Sequence, residues 1–233
     1  MARERIVVFS GAGISAESGL RTFRDSDGLW EQYRVEEVAT PQAWQRDMDL
    51  VLRFYDERRA QVLAAQPNAA HQAIARLEER FTVDVVTQNI DDLHERAGST
   101  RVLHLHGEIL KARSTADPSV VVRLGKPTIA RGDRCPLGSQ LRPHIVWFGE
   151  EVPLLPEAAA LMAHADRVLV VGTSLNVYPA AGLIHYAPRQ APMVLIDPRP
   201  VEVRRAGLRV VQATAAEGVP RVAEEWLNAT GDR

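Results

Sequence analysis

Ile6-Val7-Val8-Phe9-Ser10-Gly11-Ala12-Gly13-Ile14-Ser15-Ala16-Glu17-Ser18-Gly19-Leu20 is the stretch on which the fold turns. Four consecutive apolar residues stopped by Ser10-Gly11 read as a strand buried on both faces of a parallel sheet, and from Ile14 the pattern becomes helical. Gly11 and Gly13 flank Ala12, so the backbone can bend tightly and let a pyrophosphate approach. The helix that follows offers free N–H groups and the positive end of its dipole. An ordinary strand-to-helix turn fits the same residues, because Ala16 stands where Gly-x-Gly-x-x-Gly has its last glycine.

At 233 residues, 45% hydrophobic and 25% charged, the chain can bury a sizeable core and has the composition of a soluble globular protein. A net charge of -2 gives no footprint for nucleic acid. No apolar run approaches the ~18 residues of a membrane span. Met1-Ala2-Arg3-Glu4-Arg5 leads straight into the first strand, so no signal peptide is expected. Cys135 is the single cysteine, which excludes an internal disulfide and makes a reducing, cytoplasmic setting the expectation.

Downstream, Leu20 to Thr40 reads as a polar loop with interspersed aromatics, lying over whatever the Gly11 turn binds. Pro41 to Ala65 and Ala70 to Arg80 have helical spacing. Phe81 to Thr87 and Arg101 to His106 read as strands. From about Leu110 to Arg142 periodicity is lost, which predicts a small inserted module. Strands return at Arg167–Val171, Pro192–Asp197 and Leu208–Gln212, with helices at Pro156–Ala165, Ala180–Ala187 and Val219–Ala229. The alternation predicts an α/β fold, a Rossmann-like doubly wound parallel sheet with a small inserted module. One domain, 1–233, is expected, with its core at about 1–30, 66–110 and 143–233, a helical insertion at about 31–65 and the module at about 111–142.

Ligands of such sheets lie beyond the carboxyl ends of the strands. The residues there are Gly11-Ala12-Gly13, Gln88-Asn89-Ile90-Asp91, His106-Gly107, Gly172-Thr173-Ser174 and Asp197-Pro198-Arg199. Small, amide and titratable side chains suit a polar dinucleotide, and His, Asn and Asp together suit acid–base work. Singly, each has an ordinary explanation too: Asn89 as a helix cap, Asp91 as a first-turn acid, His106 as a hydrogen-bonded core histidine.

Taken in order, Gly11-Ala12-Gly13-Ile14-Ser15 with Gly19-Leu20-Arg21-Thr22-Phe23-Arg24, Thr87-Gln88-Asn89-Ile90-Asp91, Leu105-His106-Gly107, Val146-Trp147-Phe148-Gly149-Glu150 and Gly172-Thr173-Ser174-Leu175 resemble the sirtuin family of NAD-dependent protein deacylases. The resemblance covers nearly the whole chain and is weakest between Lys111 and Arg142. It implies a cleft for NAD and an acyl-lysine peptide between the Rossmann-like core and the module. By that likeness Gly11, Ala12, Gly13, Ser15, Phe23, Arg24 and Trp30 hold the pyrophosphate and cover the nicotinamide side. Gln88, Asn89, Ile90 and Asp91 meet nicotinamide and its ribose. Gly172, Thr173 and Ser174 meet the adenosine half, and Asp197, Pro198, Arg199 and Ala215 its adenine end. Val146, Phe148 and Val177 contact the substrate peptide, with Val177 and Tyr178 pairing with it as an added strand.

His106 matches the family's general base, with Asn89 beside it in the catalytic set. In a sirtuin-like reaction the acyl oxygen attacks the anomeric carbon of the nicotinamide ribose, nicotinamide leaves, and an alkylamidate remains. A neutral imidazole, with a reference pKa near ~6.5, can then take a proton from a ribose hydroxyl, whose oxygen attacks the amidate carbon. Lysine and O-acyl-ADP-ribose follow. ADP-ribosyl transfer to protein and a non-catalytic NAD sensor are the competing readings of the same cleft.

Tyr55 and Arg58, three apart on a helix, share one face. A phenol with a guanidinium can bind a carboxylate at the end of an acyl chain. A solvated helix face with charge pairs is the plain alternative. The pair resembles that of the desuccinylase-type, class III sirtuins, which implies succinyl- or malonyl-lysine as substrate, with acetyl-lysine also accepted. Sirtuins usually hold a structural zinc on four cysteines. Cys135 alone cannot make that site, so no zinc is expected, and Val120-Val121-Val122 and Ile129 are expected to pack the shortened module. His94, His104 and His164 read as surface or packing residues. Acylated proteins are the expected partners, with no nucleic acid and no membrane, and the chain is expected to be a monomer.

Overall fold

The computed structural model describes residues 3–20, 29–30, 33–200 and 205–229. Its strands are β1 (Arg5–Ser10), β2 (Leu29–Trp30), β3 (Tyr33–Arg34), β4 (Thr82–Thr87), β5 (Val102–His104), β6 (Gly107–Ser114), β7 (Val121–Arg123), β8 (Leu141–Ile145), β9 (Arg167–Val171), β10 (Met193–Ile196) and β11 (Leu208–Val211). The α-helices are α1 (Val35–Val38), α2 (Pro41–Arg46), α3 (Met48–Ala64), α4 (Ala69–Arg76), α5 (Leu93–Arg96), α6 (Leu155–Ala163) and α7 (Ala215–Asn228). No helix among the described residues is long and apolar enough to cross a membrane.

Six strands form one sheet in the order β11-β10-β9-β1-β4-β5, all parallel. Counted along the chain this is the order 3-2-1-4-5-6 read from the β5 edge, a doubly wound Rossmann-type sheet whose direction of progression reverses between β1 and β9. Alternation in β1 supplies both cores. Ile6 and Val8 pack with α4 and α7 through Ile74, Leu77, Val219, Val222 and Trp226. Val7 and Phe9 face α6 and a 3-10 helix at Ala180–His185 through Ala158, Met162, Leu183 and Ile184. Asp84 interrupts β4 with a buried carboxylate, which Arg5 and Arg101 each meet at 2.7 Å.

The helix after β1 is a 3-10 helix, Ala12–Ser18, ended by Gly19 in the left-handed region. The long helix expected over 41–65 is broken at Asp47, which caps α3 by accepting from Leu50 N (2.9 Å). The inserted module is a three-stranded antiparallel sheet, β7-β6-β8, running from Gly107 to Ile145. Its core is Leu52 of α3 with Ala112, Ile129, Cys135 and Leu141, joined by the partly buried Val120 and Val122. Val121 departs from the expectation and lies outward, 38% exposed, because neighbours along a strand alternate faces.

Candidate active site

The reversal between β1 and β9 is where two turns touch backbone to backbone. Gly13 N donates to Gly172 O (2.8 Å) and Gly11 N to Val171 O (3.1 Å). Gly172 has φ +61, and a Cβ there would fall 2.3 Å from Ile14 N; one on Gly13 would fall 2.7 Å from Gly172 Cα. The glycines are therefore required by the contact between the two halves of the sheet, in addition to any ligand they admit.

A cavity of about 390 Å³ opens from this point across the carboxyl ends of the strands. It is lined at the reversal by Gly11, Ala12, Gly13, Ser15, Gly172, Thr173 and Ser174, after β4 by Gln88, Asn89, Ile90 and Asp91, and after β5 by His106. Asp197, Pro198, Arg199, Ala215, Tyr55, Arg58, Val146, Phe148 and Val177 complete its lining. The described site residues named from sequence thus converge on one space. Phe23 and Arg24 lie outside the described residues, and for Trp30 only its place in β2 is described.

Short polar contacts fix the floor. Asn89 Nδ2 donates to Ser15 Oγ (3.1 Å), Ser15 Oγ donates to Asp91 Oδ2 (3.1 Å), and Leu93 N donates to Asp91 Oδ1 (3.2 Å). Burial pushes the Asp91 carboxyl up, partly offset by the Leu93 and Ser15 hydrogen bonds. Gln88 Nε2 donates to Thr173 Oγ1 (3.0 Å), tying the β4 loop to the β9 loop. His106 Nδ1 lies 3.0 Å from the Gln88 carbonyl. A carbonyl only accepts, so Nδ1 carries the hydrogen and Nε2 keeps its lone pair. Burial pulls the His106 pKa down against the opposing effect of that hydrogen bond, so the ring is neutral at neutral pH.

Tyr55 is fully buried and Arg58 7% exposed, both on α3. Trp147 Nε1 donates to the Tyr55 oxygen at 3.0 Å. Burial drives the Tyr55 phenol well above its usual range, so it stays protonated. Arg142 stacks over the Trp147 ring, 3.2 Å from its centroid. Glu150 accepts from Arg142 (2.7 Å), Arg113 (2.9 Å) and the Trp147 backbone N–H (2.8 Å). Trp147 and Glu150 lie in the Val146-Trp147-Phe148-Gly149-Glu150 motif of the sequence, where neither carries an assigned role; the structure gives them one through Tyr55, Arg113 and Arg142.

His94 and His104 are buried and hydrogen-bonded, whereas His164 is exposed. The module does not fit a thiolate zinc site. Around Cys135 stand two hydroxyls, with Ser114 Oγ 2.6 Å from Ser139 Oγ and Cys135 Sγ 3.1 Å from Ser139 Oγ. One thiol and two mutually bonded hydroxyls are not a tetrahedral N/S donor set.

The Sir2 family profile matches residues 11–179. An NAD-dependent protein deacylase of Bacteroides thetaiotaomicron is 50% identical over 222 residues, spanning 93% of this chain and 95% of its own. One of Aggregatibacter actinomycetemcomitans is 55% identical over 195 residues, spanning 83% and 93%. A crystal structure of a Sir2 homologue in complex with NAD superposes with a TM-score of 0.84 at 38% identity, over 96% of this chain and 89% of that one. Agreement that extends from the glycine turn after β1 through the module to the rim of the cavity makes the chain a member of the Sir2 family, the sirtuins.

Proposed function

We propose that the chain is an NAD-dependent protein-lysine deacylase that removes succinyl and malonyl as well as acetyl groups, releasing nicotinamide and O-acyl-ADP-ribose. The observation that carries the reading is the contact of His106 Nδ1 with the Gln88 carbonyl. With Nδ1 so occupied, Nε2 is available as a base in the cavity that the reversal-point glycines and the Asn89 amide also line. In this reading NAD lies across the reversal, with its pyrophosphate against Gly11–Ser15, its adenosine half against Gly172–Ser174, adenine toward Asp197, Pro198, Arg199 and Ala215, and nicotinamide over Gln88–Asp91. The acyl-lysine enters past Val146, Phe148 and Val177. Once the acyl oxygen has displaced nicotinamide at the anomeric carbon, His106 Nε2 takes the ribose hydroxyl proton and that oxygen bonds the amidate carbon; the lysine amine leaves carrying the proton, and a water adds to give O-acyl-ADP-ribose.

Tyr55 and Arg58 set the acyl preference. A protonated phenol and a guanidinium in the buried lining of the cavity can hold a distal carboxylate with charge-assisted hydrogen bonds, which an acetyl group cannot make. This feature supports membership of the desuccinylase-type subclass. The module is held by packing and by the Ser114–Ser139–Cys135 hydrogen bonds, without structural zinc.

Mass spectrometry of reactions with NAD and acetyl-, malonyl- or succinyl-lysine peptides tests the reading. Free lysine, nicotinamide and O-acyl-ADP-ribose are the expected products, and label from NAD retained on protein would favour ADP-ribosyl transfer instead. His106→Ala should abolish turnover with the melting temperature preserved; near-normal turnover would remove His106 as the base.

A further inference from the structure

His104 and His106 alternate at the end of β5, and each imidazole meets one of two successive carbonyls in the loop after β4. His106 Nδ1 lies 3.0 Å from Gln88 O and His104 Nδ1 lies 2.9 Å from Asn89 O. The parallel ends there. His104 Nε2 is 2.7 Å from Glu95 Oε1, and because a carbonyl and a carboxylate only accept, both ring nitrogens of His104 carry hydrogens. His104 is an imidazolium, two residues from a histidine that must be neutral to act as a base.

Its surroundings agree. Burial works against the charge, yet the Glu95 hydrogen bond and charge, the Asn89 carbonyl and Glu108 on β6 together raise the His104 pKa. Burial likewise opposes ionisation of Glu95, but His104 holds its carboxyl below the usual range. Asp91 and His94 also sense the His104 charge, and Lys111, paired with Glu108, acts on Glu95.

The clamped peptide is central to the cavity floor. Asn89 N donates to Thr87 Oγ1 (3.0 Å), its carbonyl is held by His104, and its side chain reaches Ser15. The direction of the Asn89 amide therefore follows from a backbone that His104 fixes. The geometry points to His104, held charged by Glu95, as a positioning residue that sets the Asn89 peptide in the NAD cleft, so that loss of its Nε2 proton weakens NAD binding at alkaline pH. This rests on the NAD-dependent reading of the cleft given above. Once the proton leaves, the Nε2 lone pair faces the Glu95 carboxylate, acceptor against acceptor, and the contact turns repulsive.

NAD affinity followed by tryptophan fluorescence from about pH 6.5 to 10, a window covering the imidazole range and the region above it, tests the inference. Wild-type affinity should fall about tenfold across the window, the worth of one buried hydrogen bond. Glu95→Gln should hold within about twofold, since the amide can donate to a neutral Nε2 and keep the ring in place. His104→Gln, whose amide can donate to the Asn89 carbonyl without titrating, should also give a flat profile, and serves if the first variant folds poorly. A Glu95→Gln or His104→Gln profile that falls in step with the wild type, or a wild-type profile flat throughout, overturns the proposal. Failure of the wild type to bind NAD at any pH overturns the functional reading and takes this inference with it.

Discussion

Replacing Arg58 by methionine separates the acyl specificities. The methionine keeps the length and apolar stem of the side chain beside Ala39 and Val62, so the cavity wall persists, and only the guanidinium is removed. Arg58 is 7% exposed and Tyr55 fully buried, so a carboxylate reaching them is shielded from water. A hydrogen bond to a charged group there contributes about 1.5–3 kcal/mol. At ~1.36 kcal/mol per tenfold, Arg58→Met should lower kcat/KM for a succinyl-lysine peptide by about 10- to 150-fold. An acetyl-lysine peptide has no carboxylate to lose, so its kcat/KM should stay within about threefold. The assay is parallel steady-state kinetics on one peptide sequence carrying either acyl group, with saturating NAD. Equal losses on both peptides would refute the assignment, because they would mean that Arg58 supports the cavity wall instead of reading the acyl tail.

Acid should destabilise the fold through His71 and His94, whose burial disfavours the charged ring. Burial pushes His71 down to about 4, against about 6.5 in an unfolded chain, so between those values the unfolded state binds a proton that the folded state refuses. Stability then falls as pH drops through that window, by about 3 kcal/mol from His71 at ~1.36 kcal/mol per unit, and His94, also held well below its usual range by burial, acts in the same direction. Urea unfolding at pH 7 and near pH 4.5 should show the loss, and His71→Gln should reduce it; an unchanged acid sensitivity would remove His71 as a source. For the module, metal analysis should find no stoichiometric zinc, and a chelator should leave the melting temperature unmoved. Ser114→Ala should lower that temperature by about 2–4 °C, the effect of one hydrogen bond of ~1 kcal/mol in a domain of this size. Stoichiometric zinc would overturn the account of the module.

The centre of the main sheet is legible in sequence because β1 and β9 are buried on both faces and read as unbroken apolar runs, Ile6–Phe9 and Val168–Val171, each followed by a glycine turn. Parallel strands then put their end residues on one rim, which is why Gln88–Asp91, His106 and Gly172–Ser174 could be named without coordinates. The module is less legible. Gly107–Ser114 mixes half-buried and charged residues, so its strand character depends on pairing with β7 and β8 instead of on its own pattern. His104 reads as an ordinary packing residue, because its partners are a backbone carbonyl and a carboxylate brought there by the loop after β4 and by α5. The Trp147–Tyr55 bond spans 92 positions, and no local spacing announces it.

Glu150 sits at the junction of two structural units. It gathers Arg113 from β6, Arg142 from β8 and the Trp147 backbone, while the Trp147 indole hydrogen-bonds Tyr55 in the lining of the cavity. If Tyr55 and Arg58 form the acyl pocket as proposed, seating of the antiparallel module and occupancy of that pocket are linked equilibria. On the proposed reading, whatever free energy an acidic acyl tail gains from a firmly seated module must return as protection of that module from opening.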